Sequence, residues 1–336
     1  MTDNTYDYSD CFEYDFGECH LVIDGKLKKL NMAVMTACAS GFRWAYLYET
    51  QKFDVFLESQ IDFFEMVGGT FKEGVYDNMR NVVEAFNKSE KVLNQKLLSF
   101  ARWYNFKVVT CNPRRGNEKG TVEGAVKVVR REVSGPRYEF KSLEEARQYL
   151  DSELRKFNRK SIIEEEKKFL KPLNGRYESA VIVRRKVSNY SLISFERNQY
   201  SVPDHLVGQE VVVRAYAEKI KIYSENREIA SHPRLKGNKK TCMDITHYLR
   251  TLSRKPGALR NSQVLKEDDE LHQLYKEHFT GRTKEFIAIL MANQDKSRKE
   301  LVKAVRSAVN GSEPESDINQ ESEEYDQLQA ISEMFV

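Results

Sequence analysis

The sequence predicts a mixed-sheet α/β domain with helices packed on the sheet, followed by a small all-β barrel and a helical C-terminal region. Over roughly the first 130 residues, strand-like and helix-like runs follow one another in the order β-β-β-α-β-α-β-α, which is typical of helices covering a mixed sheet. Five short strand-like runs then occupy residues 177–232. Helical spacing dominates residues 243–311, with an interruption at Pro256-Gly257.

Three consecutive strand patterns fill residues 12–50. The run "FEYDFG" alternates between aromatic and polar residues, and "FRWAYLYE" alternates in the same way. Between them, "LNMAVMTACAS" is almost continuously apolar, as expected of a strand that is buried on both faces. Asp24-Gly25 lies between the first two runs and predicts a hairpin, because residues of this type tolerate the positive φ of a tight two-residue turn.

Helices and strands alternate after the third strand. A helix over 53–66 is predicted to end at Gly68-Gly69, and the strand "FKEGVY" follows it. The remaining predicted elements are a helix over about 92–104, the strand "FKVVTC" at 106–111, a helix over about 117–133 and a charged helix over 142–160. We therefore expect five segments: a core domain (1–135), a helical connector (136–176), the barrel (177–232), the helical region (243–311) and an acidic, disordered tail (312–336).

The overall composition is that of a globular protein, with 40% hydrophobic and 31% charged residues. No apolar run is long enough to cross a membrane, and the acidic N-terminus lacks the features of a secretory signal. The five cysteines are scattered and form no CxxC pair, and the histidines do not have zinc-site spacings. We therefore expect reduced thiols and a cytoplasmic protein.

The formal net charge of +3 hides a strong asymmetry along the chain. The last 25 residues carry eight acidic residues and no Lys or Arg, so the body is strongly basic. The stretch from Arg102 to Arg131 is denser still, with eight basic residues against Glu118 and Glu123. A basic body favours a polyanionic partner, although charge alone leaves a merely solvated surface equally open.

Asp77 and Asn78 follow the fourth strand directly, and the local sequence leaves two interpretations open. Both side chains are typical of a turn, and a carboxylate at the end of a strand is also a potential metal ligand. If the first and fourth strands are neighbours, Asp15 and Asp77 converge, and a helix packed across the sheet would bring Glu123 to the same point. Three such oxygen ligands suit two Mg²⁺ ions, which clamp the attacking and leaving oxygens of a phosphoryl displacement.

The predicted third helix carries Glu123 beside several basic residues. Its expected buried stripe is Val122, Ala125, Val126 and Val129. Glu123 and Lys127 could be an ordinary surface pair four residues apart, and taken alone this interpretation is favoured. The functional alternative is that a basic track beside the carboxylates holds DNA phosphates. The candidate DNA-binding residues are Arg114, Arg115, Lys119, Lys127, Arg130 and Arg131.

The ordered set of motifs resembles the IstA-type insertion-sequence transposases, members of the DDE superfamily with an RNase H-like catalytic core. The resemblance is carried by "YDFGE", "VYDNMR" and "EKGTVEGAVKVVRR", and continues through "QYSVPDHLVGQEVVVR", "IASHPR" and "RKPGALRN". It spans roughly residues 10–295. It implies that Asp15, Asp77 and Glu123 are the catalytic, metal-binding triad, with two Mg²⁺ ions as cofactors and Mn²⁺ as a substitute.

The resemblance also implies an activity and partners. Members of this family nick the 3′ ends of the transposon and join them to target DNA by transesterification, assembled as oligomers on DNA and assisted by a separate AAA+ ATPase of IstB type. This chain has no G-x-x-x-x-G-K-[ST] loop of its own, which fits an ATP-independent strand transfer. The barrel resembles the DNA-contacting module of the family, with candidate residues Arg184, Arg185, Lys186, Arg214, Lys219 and Lys221.

One departure from the family leaves alternatives open. Family members carry an N-terminal helix-turn-helix that recognises the ends of the element, whereas Asp15 lies only fourteen residues after Met1. The chain is therefore expected to be a fragment, the product of a split gene or a remnant. Two other functions remain open: a catalytically silent DNA-binding transposase remnant and a stand-alone RNase H-like nuclease.

Overall fold

The computed structural model describes residues 6–87, 90–110, 129, 131 and 137–310. It divides into two compact units, Met1–Val181 and Ile182–Val336. The first unit contains both aspartates of the predicted triad, and the second contains the predicted barrel and the C-terminal helices.

Three antiparallel strands open the first unit. They are β1 (Cys11–Ile23), β2 (Lys26–Ala37) and β3 (Arg43–Tyr48). The predicted turn between β1 and β2 is confirmed, since Asp24 and Gly25 have φ values of 52° and 69°. β1 and β2 pair without interruption from Phe12↔Ala37 to Ile23↔Lys26. The hydrophobic pattern therefore located all three strands, although β1 extends six residues beyond the predicted run.

Two parallel strands complete the main sheet. Helix α1 (Phe53–Val67) leads into β4 (Glu73–Tyr76), and α2 (Gln95–Trp103) leads into β7 (Lys107–Thr110). The strand order is β3-β2-β1-β4-β7, with β4 parallel to β1 and β7 parallel to β4. Three antiparallel strands followed by two that are parallel to the first is the RNase H-like arrangement.

A hairpin between β4 and α2 was not predicted. It consists of β5 (Val83–Asn87) and β6 (Glu90–Leu93), which pair with each other outside the main sheet. The sequence here, "NVVEAFNKSEKVL", has no regular alternation of apolar and polar residues and no Asn-Gly or Asp-Gly turn, so neither usual hairpin signal is present.

Each face of the main sheet has its own core. On one face Phe12, Tyr14 and Tyr76 pack against α1, and the ring of Phe12 lies 5.2 Å from that of Phe64. On the other face, alternate residues of β1 pack with a helix of the connector, α3 (Leu143–Phe157). The buried residues of this second core are Cys19, Leu21, Ile23, Leu30, Met32, Val34, Ala45, Leu47, Val129, Phe140, Ala146, Leu150 and Leu154.

The connector is an integral part of the first unit. Its short strand β8 (Glu139–Phe140) pairs with the end of β1, and a short helix, α4 (Ile163–Glu166), follows α3. The carboxylate of Glu166 is fully buried and accepts hydrogen bonds from the amides of Ser9 and Ser40, each at 3.1 Å. Ser9 lies just before β1 and Ser40 just after β2, so Glu166 holds together the two chain segments at the open end of the β1–β2 hairpin.

The cysteine prediction was wrong for one pair. Cys11 and Cys38 form a disulfide with a Cα–Cα distance of 5.6 Å. The hairpin register explains it. Cys11 precedes Phe12 and Cys38 follows Ala37, so the two cysteines lie opposite each other just beyond the Phe12↔Ala37 pair. A spacing of 27 residues carries no signal of this pairing in the sequence. Cys19 and Cys242 are free, and Cys111 lies outside the described residues.

The second unit begins with seven strands that form two sheets around one core, rather than a single hydrogen-bonded barrel, within the described residues. Lys219 to Ile222 alternate as predicted, with both isoleucines fully buried. The four-stranded sheet contains β9 (Val181–Lys186), β12 (Glu210–Ala215), β13 (Lys219–Ser224) and β14 (Arg227–Pro233). The three-stranded sheet contains β10 (Leu192–Phe195), β11 (Asn198–Ser201) and β15 (Thr241–Cys242).

A helical region follows the sheets and has its own apolar core. The predicted interruption at Pro256-Gly257 is a 3₁₀ segment, Pro256–Asn261. The α-helices are α5 (Leu249–Arg254), α6 (Gln263–Lys266), α7 (Asp269–Leu274), α8 (Thr283–Ala292) and α9 (Arg298–Asn310), with a π-helical segment, Tyr275–Phe279, after α7. Within the described residues, no helix is both long and apolar enough to cross a lipid bilayer.

A buried histidine pair joins the strands of the second unit to its helical region. The Nε2 of His232 lies 2.7 Å from the carbonyl of Ser201, and the Nδ1 of His247 lies 2.8 Å from the hydroxyl of the same serine. Burial lowers the pKa of His247 to about 4, with His232 adding to the effect and Asp244 and Asp204 opposing it. Burial likewise lowers the pKa of His232.

Acid should therefore destabilise the second unit before most carboxylates titrate. The pKa of His247 is lower in the folded state than its ordinary 6.5, so its unfolded form binds protons first and stability falls between pH 6.5 and about 4. Between pH 7 and pH 5, His247 should account for about 2 kcal/mol of lost unfolding free energy. Urea unfolding of the wild type and of His247→Gln at both pH values measures this difference. An equal pH dependence in the two proteins would contradict it.

Candidate active site

Asp15 and Asp77 lie at equivalent positions on neighbouring parallel strands. The parallel pairing of β1 with β4 ends at Tyr14↔Tyr76, so Asp15 and Asp77 are the next residue on each strand. Neighbouring strands lie about 4.8 Å apart, which sets the scale of the separation between the two backbones. Both aspartates are half-buried. The predicted adjacency of the first and fourth strands is thus confirmed.

Hydrogen bonds to α1 fix the residue that precedes each aspartate. The hydroxyl of Tyr14 lies 2.9 Å from the hydroxyl of Ser59, and the hydroxyl of Tyr76 donates to the Oε1 of Gln60 at 2.6 Å. Gln60 is held in turn, since its amide nitrogen donates to the carbonyl of Phe56 at 2.8 Å. Both tyrosines are almost completely buried. These contacts therefore fix the backbone directly before Asp15 and directly before Asp77.

Asp77 forms the turn that its sequence predicts. Its Oδ1 accepts a hydrogen bond from the amide of Asn78 at 2.7 Å, and its carbonyl accepts one from the amide of Met79 at 2.8 Å. These contacts bend the chain away from the sheet directly after β4. They orient one carboxylate oxygen and are compatible with a ligand role for the carboxylate, so the turn and the ligand interpretations do not exclude each other.

Asp15 shares its sheet face with a second, more deeply buried carboxylate. Glu13 precedes Asp15 by two residues and therefore points to the same side of β1. It is 5% exposed. Burial raises its pKa to about 7, although the positive charge of Arg43 acts to lower that pKa. The Arg43 guanidinium lies over the ring of Phe157 at 4.8 Å. Glu13 and Arg43 both pair with Thr36 of β2, so their side chains lie on the same face of the sheet as Asp15. This pair of opposite charges was not recognised in the sequence.

The third member of the predicted triad, Glu123, lies outside the described residues. One described residue of the predicted third helix bears on its placement. Val129 was expected in the buried stripe of that helix, and it is 2% exposed within the core on the Asp15 face of the sheet. Arg131 is exposed, as expected at the margin of the stripe. The other candidate DNA-binding residues also lie outside the described residues: Arg114, Arg115, Lys119, Lys127 and Arg130.

The unpredicted β5–β6 hairpin contributes a cation to this edge of the sheet. The Nζ of Lys91 donates to the hydroxyl of Thr110 at 3.0 Å. Thr110 is the last residue of β7 and pairs with Tyr76, the residue before Asp77. The register places the Thr110 side chain on the same face as Tyr14 and Tyr76, so this contact ties the hairpin to the end of β7 on the face opposite to Asp15. The contact was not predictable from the sequence, because it depends on the hairpin and the β7 register together.

The two described carboxylates suit a divalent metal ion. They are hard oxygen donors, half-buried and carried by adjacent strand ends, the donor type that Mg²⁺ prefers. The described residues contain no group of three or more His, Cys, Asp or Glu side chains arranged to hold a metal. A complete site would need a further donor, and Glu123 is the expected one.

Comparison with known proteins supports the relationship suggested by the sequence motifs. A transposase for insertion sequences IS1326/IS1353 from Pseudomonas aeruginosa is 31% identical over 275 residues, covering 77% of this chain and 54% of the relative. The transposase for IS21 from the same species is 31% identical over 235 residues, covering 66% of this chain and 60% of the relative. The chain is a homologue of insertion-sequence transposases. It spans about half the length of the first of these relatives.

Two further comparisons concern parts of this transposase homologue. Residues 172–244, which include all seven strands of the two sheets in the second unit, match the family model described as "Mu transposase, C-terminal domain". The catalytic core domain of HTLV-2 integrase in complex with magnesium aligns at 14% identity over 45% of this chain and 87% of that chain. The TM-score of this alignment is 0.34.

The close approach of β1 and β4 predicts a sensitivity to substitution at Gly74. A Cβ there would lie 2.7 Å from the ring of Phe12 and 2.8 Å from the hydroxyl of Tyr76. Gly74→Ala should therefore destabilise the first unit by about 1–3 kcal/mol through overpacking.

Gly257→Ala is the matched control, since a Cβ at that position meets nothing within 4 Å. Chemical denaturation of both variants measures the effect. Equal stabilities would show that β1 and β4 are not packed as closely as described.

Proposed function

We propose that this chain is the catalytic region of a DNA transposase of IstA type, which nicks the 3′ ends of its element and transfers them to target DNA. The observation that carries the proposal is the placement of Asp15 and Asp77 at equivalent ends of neighbouring parallel strands. The homologous insertion-sequence transposases support it independently. Glu123 is proposed as the third carboxylate, on the helix that includes Val129.

The chemistry is two phosphodiester exchanges at one site. In the first, the oxygen of water bonds to phosphorus at the end of the element, and the bond to the 3′-oxygen breaks to leave a 3′-hydroxyl. In the second, that 3′-oxygen attacks a target phosphodiester and displaces a target 3′-hydroxyl. The second step makes one phosphodiester for each one it breaks, so it needs no nucleotide hydrolysis.

The residues of the chain hold and orient the reacting groups. Asp15 and Asp77 supply carboxylate oxygens, and the amide of Asn78 fixes the orientation of the Asp77 carboxylate. Two Mg²⁺ ions, or Mn²⁺ in their place, supply Lewis-acid stabilisation of the attacking and leaving oxygens when bound.

DNA contacts are proposed for each unit separately. In the first, Arg131 and the basic residues near Glu123 would hold phosphates beside the carboxylates. In the second, Arg184, Lys186 and Lys219 are exposed. Several barrel candidates have protein contacts: Lys219 lies over the ring of Tyr216, Lys221 pairs with Glu228 at 2.7 Å, Arg214 stacks on Tyr223, and Arg185 donates to the carbonyl of Ser194.

The partners implied by the resemblance belong to the same proposal. They are the transposon ends, the target DNA, further copies of the chain assembled on DNA, and an AAA+ ATPase of IstB type. The basic body of the chain supports a nucleic acid partner. The proposed location is the bacterial cytoplasm, at the nucleoid when bound to DNA.

Two alternative functions compete with this proposal. A silent DNA-binding remnant would keep the fold and the basic surface without turnover. A stand-alone RNase H-like nuclease would cleave but not join strands. The match of residues 172–244 to a transposase domain favours a transposase over the nuclease.

Asp77→Asn should abolish metal-dependent cleavage and joining while DNA binding persists. The amide keeps the size of the side chain but removes the negative charge that a divalent ion requires. Oligonucleotide cleavage and strand-transfer assays with cognate ends, the end-binding region and Mg²⁺ or Mn²⁺ measure activity, and gel shifts measure binding. Asp151→Asn is the control, since Asp151 is paired with Arg155 on the surface of α3. An inactive wild type under these conditions would favour the silent remnant.

DNA binding should weaken by orders of magnitude between about 50 and 200 mM salt, because several phosphates are contacted and their counterions are released. Fluorescence anisotropy with a labelled duplex over this range gives the slope. A flat response would contradict the proposed basic surface.

A further inference from the structure

A cleft in the helical region of the second unit has no role in the proposed chemistry. It lies between the end of α5, the 3₁₀ segment and α8, and its volume is about 230 Å³. Its wall combines aliphatic and cationic groups. The lining residues are Ser253, Arg254, Pro256, Lys284, Ile287 and Ala288.

The two cations of the cleft are available for a ligand. Arg254 and Lys284 are both exposed, and neither forms an ion pair within the described part of the chain. Nearby charges of the same region are paired, as Arg282 is with Glu285 and Arg298 is with Asp268 at 2.8 Å. Lys255 and Arg260 add further exposed positive charge to the same 3₁₀ segment and its start.

The apolar wall distinguishes this cleft from a simple phosphate site. Phosphate contacts come from cationic, hydroxyl and amide groups, and an aliphatic pocket adds nothing to them. Pro256 and Ala288, which are both half-buried, instead offer surface for an apolar side chain, and Ile287 also lines the cleft but is only 2% exposed. A cavity of about 150 Å³ admits benzene, so this cleft is large enough for a phenylalanine or methionine side chain. Its chemistry therefore fits an acidic peptide with an apolar anchor.

The chain itself contains such a peptide. We propose that the cleft binds the acidic-apolar segment 321–336, with Met334 or Phe335 as the anchor and the neighbouring carboxylates facing Arg254 and Lys284. This segment has five acidic residues, no Lys or Arg, and apolar residues near its end. The 26 residues that follow Asn310 can span up to roughly 85 Å when extended, so length does not limit the contact.

Binding of this segment would reduce the exposed positive charge at the cleft. A bound acidic segment neutralises cations that would otherwise attract DNA. The attraction between the segment and these cations weakens as the salt concentration rises. The segment therefore acts as an internal competitor that lowers non-specific DNA binding. This inference is independent of the transposase chemistry, since it involves neither the carboxylate site nor a metal.

Zero-length carbodiimide cross-linking of the full chain, without DNA or metal, tests the contact. Mass spectrometry should find amide links from Lys284 or Lys255 to carboxylates of 321–333, at several times the yield of links from Lys276, an exposed lysine of the π-helical segment. Met334→Ala with Phe335→Ala should lower the yield at Lys284 at least threefold and leave the yield at Lys276 unchanged.

Three results would overturn the inference. Links spread evenly over exposed lysines would show only non-specific attraction. A yield that falls in proportion to dilution would assign the segment to a second copy of the chain. If Arg254→Glu with Lys284→Glu lowers duplex DNA affinity tenfold and the wild type shows no preferred links at Lys284, the cleft is a DNA phosphate site. None of these results bears on Asp15 or Asp77, so a failure here leaves the proposed function intact.

Discussion

The candidate site depends on the parallel pairing of β1 with β4. Four residue pairs join the two strands, and the last is Tyr14↔Tyr76. The pairing is possible at this closeness because Gly74 has no side chain where the ring of Phe12 lies. Each tyrosine is then anchored to α1 through its hydroxyl. Everything proposed about the carboxylates follows from this register, because a shift of one residue would turn one of them to the opposite face.

The sequence predicted much of this arrangement. Alternation and apolar runs located the first four strands and α1, and Gly68 ends that helix with a φ of 80°, as its sequence indicates. The adjacency of the first and fourth strands was inferred from the order of the elements and is present in the sheet. These predictions succeeded because the spacing of apolar residues along one buried face can be read directly from the local sequence.

Other features depended on contacts that no local pattern records. The β5–β6 hairpin lacks apolar periodicity, so Lys91 could not be placed beside Thr110. The Cys11–Cys38 disulfide follows from hairpin register, and the buried Glu13 resembles any alternating polar residue of a strand. The three-stranded sheet of the second unit is completed by β15, a two-residue strand that is too short to carry a pattern. Asp77 shows a different limit, since its turn geometry was predictable from the local sequence, whereas its role as a metal ligand was implied only by the family resemblance.

The fully buried carboxylate of Glu166 has a consequence for how the protein is made. It binds the amides of Ser9 and Ser40, and the next residues of the connector reach further into the unit, where Thr70 and Lys171 exchange backbone hydrogen bonds of 2.9 Å. During synthesis these amides must wait for more than a hundred later residues to leave the ribosome. A nascent chain cut before residue 166 would retain every strand of the main sheet but leave two amide donors near its start unsatisfied. The domain that bears the aspartates thus becomes complete only when a segment that contains neither of them has emerged.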